Sequence, residues 1–208
     1  MRLILIRHGE TLWNEMHRFQ GFSDIGLSAR GTLQARCLAD SLKGEALSAI
    51  YTSSLLRARQ TAEAIACHHG CPLIVEEDLK ELNQGRLEGI TGEELRRDFP
   101  EFLESWLLDP SGVKLPQGES LGDLQQRVWS AVERIVREWA GQTVAAVAHS
   151  FVNVTILCRV LDLPLKNIRR LRQDAAAKNV IDFLERGAVL RSWNDTCHLA
   201  DLPPRVPE

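Results

Sequence analysis

Two short stretches hold the residues best suited to chemistry. Near the amino terminus the apolar run Leu3-Ile4-Leu5-Ile6 ends abruptly in Arg7-His8-Gly9-Glu10-Thr11, and much later Val144-Ala145-Ala146-Val147-Ala148 ends in His149-Ser150. In both, an apolar segment with the character of a buried strand delivers an imidazole to its carboxyl end, the side of an open parallel sheet where ligands bind. Arginine offers a planar fork of donors that matches a phosphate, and histidine is the side chain most readily used as a nucleophile or proton carrier near neutral pH. The glycine after His8 lets another group come close to the backbone. Taken alone, Arg7 and His8 read equally well as polar residues closing a strand, since short motifs recur by chance.

The elements that would position these residues alternate along the chain. Ser28 reads as the N-cap of a helix carrying Leu33, Ala35, Leu38 and Leu42. Residues 47–52 read as a short strand ending in Ser53-Ser54, residues 55–69 as a helix stopped by Gly70, and residues 72–75 as another short strand. Ser120 can cap the most strongly patterned helix, in which Leu121, Leu124, Val128, Val132, Ile135, Val136 and Trp139 fall at the three-and-four spacing of one buried face. Residues near 177–193 predict a hairpin at a sheet edge. Between Gly89 and Gly118 the pattern is irregular, with Pro100, Pro110 and Pro116, and it reads as an insertion over the crevice. The expected fold is α/β: a three-layer sandwich with a mainly parallel central sheet, helices on both faces and a small helical, lid-like insertion at about 89–118, all within one domain spanning 1–208.

Composition narrows the function. A chain of 208 residues, 44% hydrophobic and 25% charged, can bury a substantial core. A formal charge of -3 offers no field for gathering nucleic acid, and no apolar run approaches the roughly 18 residues of a membrane span. The start of the chain lacks the layout of a signal peptide, and the odd set Cys37, Cys67, Cys71, Cys158 and Cys197 reads as reduced thiols, so the expected location is cytoplasmic and the expected partner a small molecule.

Phosphoryl transfer needs positive charge and directed donors around the moving group, a nucleophile in line and a proton donor for the leaving oxygen. With those requirements in view, the chain resembles the histidine phosphatase superfamily, also called phosphoglycerate mutase-like. The resemblance rests on Arg7 to Thr11 with Trp13-Asn14 and Gln20-Gly21, on Leu27 to Ala35, on Thr52 to Ala62, on Leu79-Lys80-Glu81 before Gly85 and Glu88-Gly89, on Gly118-Glu119-Ser120, and on Val147-Ala148-His149. It implies that His8 is the nucleophile, that Arg7 and Arg57 grip the phosphoryl oxygens, and that His149 donates to them in the transition state. Glu81 would protonate the leaving oxygen and then accept a proton from water. Asn14, Gln20 and Gly21 align with positions that touch the phosphoryl group or the substrate, and Ser150 offers a backbone N–H there. No metal and no cofactor is implied.

Several residues carry a plainer reading. Arg59 is turned about 200° from Arg57 on a helix and reads as solvated. Apart from the family pattern, Glu77, Asp78, Glu81 and Glu88 would each read as surface charge, Glu10 as a loop support, and Asn14 and Gln20 as side chains that could simply hold loop backbone. Cys67-His68-His69-Gly70-Cys71 resembles a zinc site superficially, but its spacing fits a helix terminus better. His17 fits either the crevice or the surface, and residues 194–199 resemble family tails that approach the site. Arg96-Arg97 read as a charged helix face.

Ser150-Phe151 stands where the family commonly has glycine after the second histidine, and Glu81-Leu82-Asn83-Gln84-Gly85 lacks the tyrosine of the mutase branch, which favours hydrolysis. The resemblance thus implies a metal-independent phosphomonoesterase of the phosphatase branch, with a phosphoglycerate mutase or a non-catalytic phosphate-binding module as alternatives. Phosphoserine, α-ribazole phosphate, phosphoglycerates and sugar phosphates suit the phosphate end equally. Specificity would come from the insertion, Phe22, Gln84, Phe151 and the tail. A homodimer is a family-based expectation, with Trp106 and Trp193 as candidate contacts.

Overall fold

Alternation within the first strand separates the layers. The computed structural model describes residues 1–202, so residues 203–208 of the expected domain range lie outside the described residues. In β1 (Arg2–Arg7), Leu3 and Leu5 enter the core on one face of the sheet, and Ile4 and Ile6 enter the core on the other. The remaining strands are β2 (Leu47–Thr52), β3 (Leu73–Val75), β4 (Thr143–Ala148), β5 (Lys178–Leu184) and β6 (Gly187–Asp195). They form a six-stranded sheet in the order β3-β2-β4-β1-β5-β6. The first four strands in sequence run parallel, while β5 joins β1 antiparallel and the β5–β6 hairpin closes one edge, as its alternating apolar residues predict.

Seven helices surround the sheet among the described residues: α1 (Leu12–Glu15), α2 (Ala29–Leu42), α3 (Leu56–Ala66), α4 (Gly92–Asp98), α5 (Pro100–Leu108), α6 (Leu121–Glu138) and α7 (Ser150–Val160). Leu38 and Leu42 of α2 and Ala58, Ala62 and Ile65 of α3 pack on Ile4 and Ile6. On the opposite face Leu124, Val128 and Ile135 of α6 and Val152 and Ile156 of α7 pack on Leu3, Leu5 and Ala146. This is the expected three-layer sandwich, and each such fully buried Leu, Ile or Val side chain contributes about 1.5–3 kcal/mol. Ser28 and Ser120 cap α2 and α6 as expected, Ser120 in a reciprocal pair with Asp123.

Two expectations shift. The helix predicted over 55–69 stops at Ala66, because His68 and His69 donate to Ile65 and Ala66 in tight turns that cannot continue an α-helix. The stretch 89–118 is less irregular than its prolines imply. Pro100 sits in the first turn of α5, where a missing N–H costs nothing, and Thr91 with Glu94 forms a capping box that starts α4. No helix among the described residues is long and apolar enough to cross a membrane.

Two glycines bring the loop after β1 onto α2. A Cβ on Gly31 would lie 1.9 Å from the Glu10 carbonyl oxygen, and one on Gly9 would lie 2.6 Å from the Gly31 carbonyl oxygen. Both contacts are with backbone that cannot swing away. Gly31→Ala is therefore expected to lower the unfolding free energy by about 3 kcal/mol, read as a lower urea midpoint. An unchanged midpoint would refute the close approach as a constraint.

Candidate active site

The recurrence of strand followed by histidine becomes geometry because β1 and β4 are neighbours in register. Arg7 pairs with Ala148, and the His8 N–H donates to the Ala148 carbonyl at 3.0 Å. The two imidazoles consequently lie side by side at the carboxyl edge of the sheet, with ring centroids 5.0 Å apart. The loop after β1 is pinned from both helices of one face. Gly9 N–H donates to Thr61 Oγ1 on α3 at 3.1 Å, and Glu10 N–H donates to Gln34 Oε1 on α2 at 2.8 Å.

The hydrogen bonds of His8 fix its tautomer. Nδ1 lies 2.6 Å from the Gly9 carbonyl, which can only accept, so Nδ1 carries the proton. Nε2 lies 3.2 Å from Nε of Arg57, a guanidinium nitrogen that can only donate, so Nε2 presents its lone pair. Burial, and the charges of Arg57 and Arg7, hold the His8 pKa well below the ordinary histidine value. The ring is therefore neutral at neutral pH, with its Nε2 lone pair accepting from the arginine.

Arg57 is wholly buried, and its other donors go to loop carbonyls, Nη1 to Ser23 at 2.9 Å and Nη2 to Gly21 at 2.8 Å. Burial pushes its pKa down to about 10 against the attraction of Glu81, Glu88 and Asp24, which still leaves it charged at neutral pH. Arg59 instead faces solvent, its guanidinium 3.8 Å from Glu63, as the helical turn predicts. Arg7 donates from Nη1 to the Gln173 carbonyl at 2.5 Å, while its Nε is buried without a protein partner. His149 Nε2 lies 2.8 Å from Ser53 Oγ at the end of β2. Its Nδ1 is buried without a partner, and burial together with Arg57 depresses its pKa well below the ordinary value.

Glu81 is buried beside these cations. Oε1 accepts from Leu82 N–H at 2.8 Å and Oε2 from Phe151 N–H at 3.3 Å. Burial raises its pKa above the usual carboxylate value, although both amide bonds and both arginines pull the other way. The first turn of α7 thus meets the acid through Phe151 rather than Ser150. Asn14 uses its carbonyl oxygen to accept from Thr11 N–H at 3.1 Å in the cap of α1. Gln20 Oε1 accepts from Thr11 Oγ1 at 2.8 Å, which leaves Gln20 Nε2 as a buried donor without a partner. Gly21 contributes the carbonyl that holds Arg57. His17 is exposed with a left-handed backbone, φ 52°. His68 lies 3.5 Å from Asp40, and no three His, Cys, Asp or Glu side chains are grouped as metal ligands among the described residues.

Three supports escape a reading of sequence alone. Glu88, which reads as surface charge, accepts from Phe22 N–H at 2.5 Å, from Gly21 N–H at 3.2 Å and from Ser23 Oγ at 2.7 Å, so it holds the loop whose carbonyls hold Arg57. Arg127 is bidentate to Glu119 at 3.0 and 2.8 Å and reaches the carbonyls of Asp78, Lys80 and Glu81, fixing the segment that carries the acid. Asn194, at φ 49°, accepts from Asp174 N–H at 2.7 Å and from Gln173 Nε2 at 3.4 Å, securing the loop that reaches Arg7. The tail therefore acts on the site through that loop. In the sequence, the placement of Glu88 just before Gly89 and the likeness of residues 194–199 to family tails hinted at two of these roles.

A neutral histidine, a buried and a half-buried arginine and a buried carboxyl gathered at the end of parallel strands fit an α/β phosphoryl-transfer protein. The comparisons agree. The family model described as histidine phosphatase superfamily (branch 1) matches residues 3–196, and the chain belongs to that family. Over 201 residues, 97% of this chain and 95% of the relative, it is 35% identical to phosphoserine phosphatase 1 of Hydrogenobacter thermophilus. It is 33% identical, over 98% of this chain and 96% of the relative, to a Yersinia enterocolitica protein named probable phosphoglycerate mutase GpmB. The solved structure of Bacillus stearothermophilus YhfR superposes with a TM-score of 0.91 at 32% identity, covering 95% of this chain and 98% of that one.

Glu88→Ala is expected to weaken binding of inorganic phosphate, measured by calorimetry, by about tenfold or more, since each buried N–H left without its acceptor costs about 1–3 kcal/mol. Glu88→Gln, which keeps an accepting oxygen, should lose less. Equal affinity in all three proteins would refute the link from Glu88 to Arg57.

Proposed function

We propose that the protein is a metal-independent phosphomonoesterase acting through a phosphohistidine on His8, with a small phosphorylated metabolite as substrate. The observation that carries the reading is the fixed tautomer of His8, whose Nε2 lone pair sits beside a cation able to draw in a phosphoryl group. The buried donors with no protein partner, Arg7 Nε and Gln20 Nε2, suit the oxygens of that group. Ser53 can donate its hydroxyl proton to His149 Nε2, which leaves the His149 proton on the unpartnered Nδ1.

In the first step Nε2 of His8 attacks phosphorus in line, the bond from phosphorus to the ester oxygen breaks, and the carboxyl proton of Glu81 passes to the leaving oxygen. In the second step a water oxygen attacks the phosphohistidine, its proton returns to the Glu81 carboxylate, and the bond from nitrogen to phosphorus breaks. The charges of Arg7 and Arg57 fill the electrostatic role throughout. Residues 89–118 serve as a lid, and five free cysteines suit a cytoplasmic enzyme. The second reading, a mutase that returns the phosphoryl group to a phosphoglycerate, is favoured by the Yersinia relative's name.

Phosphate release from p-nitrophenyl phosphate in EDTA tests the reading, with interconversion of 2- and 3-phosphoglycerate assayed alongside. His8→Ala is expected to abolish release with unchanged circular dichroism; retained activity would sink the nucleophile assignment. The kcat/KM profile should be a bell. The acid limb falls as pH drops through the depressed pKa of His8, and the alkaline limb falls as pH rises through the raised pKa of Glu81. Glu81→Gln should slow turnover of alkyl esters by about 10²–10⁴-fold and remove its limb. A profile that Glu81→Gln leaves unaltered would count against its role.

A further inference from the structure

A cavity of about 230 Å³ adjoins the two residues that hold the Glu81 carboxyl, while Glu81, His8, Arg7, Arg57 and His149 are not in its lining. Its wall includes Leu82 and Phe151, the same residues whose backbone N–H groups hold the two oxygens of Glu81. Phe19, next to the loop that grips Arg57, and Trp106 of α5 continue the lining. Trp106 meets Phe151 edge-on at 6.3 Å and stacks on Phe102 at 5.9 Å, so the insertion presents an aromatic wall to the first turn of α7. Only two lining side chains are polar, the buried Gln84 and the exposed Arg169. The guanidinium of Arg169 is engaged by the carbonyls of Leu107 and Trp106. Phe22 and the tail, which sequence reading grouped with the specificity residues, are absent from the lining.

Since Glu81 must reach the leaving oxygen, whatever is bonded to that oxygen lies next to Leu82 and Phe151. We infer that the substrate is the phosphate ester of an apolar alcohol, its aromatic or branched aliphatic group seated in this cavity. The inference rests on the phosphomonoesterase reading above and adds the class of leaving group. An apolar cavity of about 150 Å³ accepts benzene, so this one has room for a ring on a short chain. The serine part of phosphoserine would instead bring an ammonium and a carboxylate against aromatic and aliphatic walls, with no acidic side chain among the described lining residues to pair the ammonium. Stripping water from such ions without pairing them is strongly unfavourable.

The test compares 2-phenylethyl phosphate, ethyl phosphate and phosphoserine, all esters of primary alcohols, so that leaving-group basicity does not decide the ranking. The wild-type protein should hydrolyse 2-phenylethyl phosphate with kcat/KM at least about tenfold above the other two, the scale of discrimination a hydrophobic pocket supplies. Trp106→Ala should cut the ratio of 2-phenylethyl to ethyl phosphate by about tenfold; should that variant fold poorly, Leu103→Gln, also in the lining, should cut it likewise. A preference for phosphoserine, or equal efficiency on all three, overturns the inference while the phosphomonoesterase reading stands. If no ester is hydrolysed, that reading falls, and calorimetry with 2-phenylethylphosphonate and ethylphosphonate decides the cavity. Binding about tenfold tighter for the aromatic phosphonate upholds the inference, and equal binding overturns it.

Discussion

A guanidinium with no exposure to solvent is the feature on which the rest of the site depends. Burying the charge of Arg57 is costly unless its nitrogens find partners, and the fold gives each of the three one acceptor, two carbonyls of one loop and a ring nitrogen of His8. That requirement explains residues that touch no reacting atom. Asp24 accepts from Leu56 N–H at 2.6 Å at the start of α3, tying the loop to the helix that carries Arg57. Glu88 gathers the loop's N–H groups on its opposite side. One turn beyond Arg57, Thr61 accepts from Gly9, so the helix that places the cation also places the loop that carries the imidazole. Moving any of these would expose the same buried charge.

Low dielectric acts on the titratable groups in opposite senses that serve one end. It disfavours the charged form of each, which lowers the pKa of His8 and His149 and raises that of Glu81. The neutral forms are those the proposed mechanism requires, an imidazole with a lone pair and a carboxyl with a proton. The arginines do not follow, because even the lowered pKa of Arg57, about 10, lies above neutrality. The site is left with net positive charge, the complement of a phosphate dianion.

Local pattern made the strands, the cap residues and the histidine pair legible, because those follow from period, N-cap chemistry and the end of an apolar run. Spacing on one helix likewise separated Arg57 from Arg59. The insertion was expected to be helical, but the start of α5 was obscured by Pro100, whose first-turn position costs a helix nothing but looks like a break in the string. Glu88, Arg127 and Asn194 were opaque for a different reason. Their partners lie far along the chain, as with Glu88 and Phe22 at a separation of 66 residues, and a charged or amide residue in a loop has the same appearance whether it faces water or a cluster of N–H groups. The apolar cavity was half visible: Gln84 and Phe151 stood out, whereas the contribution of Trp106 depends on how α5 folds back on α7.

The two arginines are held by the same device from opposite sides of the site. Arg57 rests on the carbonyls of Gly21 and Ser23, and Arg7 on that of Gln173. The Gln173 loop depends in turn on the edge hairpin, since Asn179 of β5 donates to Gln173 Oε1 at 2.9 Å and Asn194 of β6 binds Asp174. A carboxylate would orient a guanidinium as firmly, but it would also cancel the charge that a phosphoryl group is meant to meet. A carbonyl dipole fixes direction and leaves the cation largely uncompensated. The carboxylates that do the structural work bind elsewhere than these arginines: Glu88 and Glu119 accept from backbone N–H groups, and Asp174 accepts from Asn194 Nδ2 and Arg172. Their negative charge is kept one layer back, and Glu81, the carboxyl that the proposed mechanism uses as the acid, is biased by burial toward its neutral form.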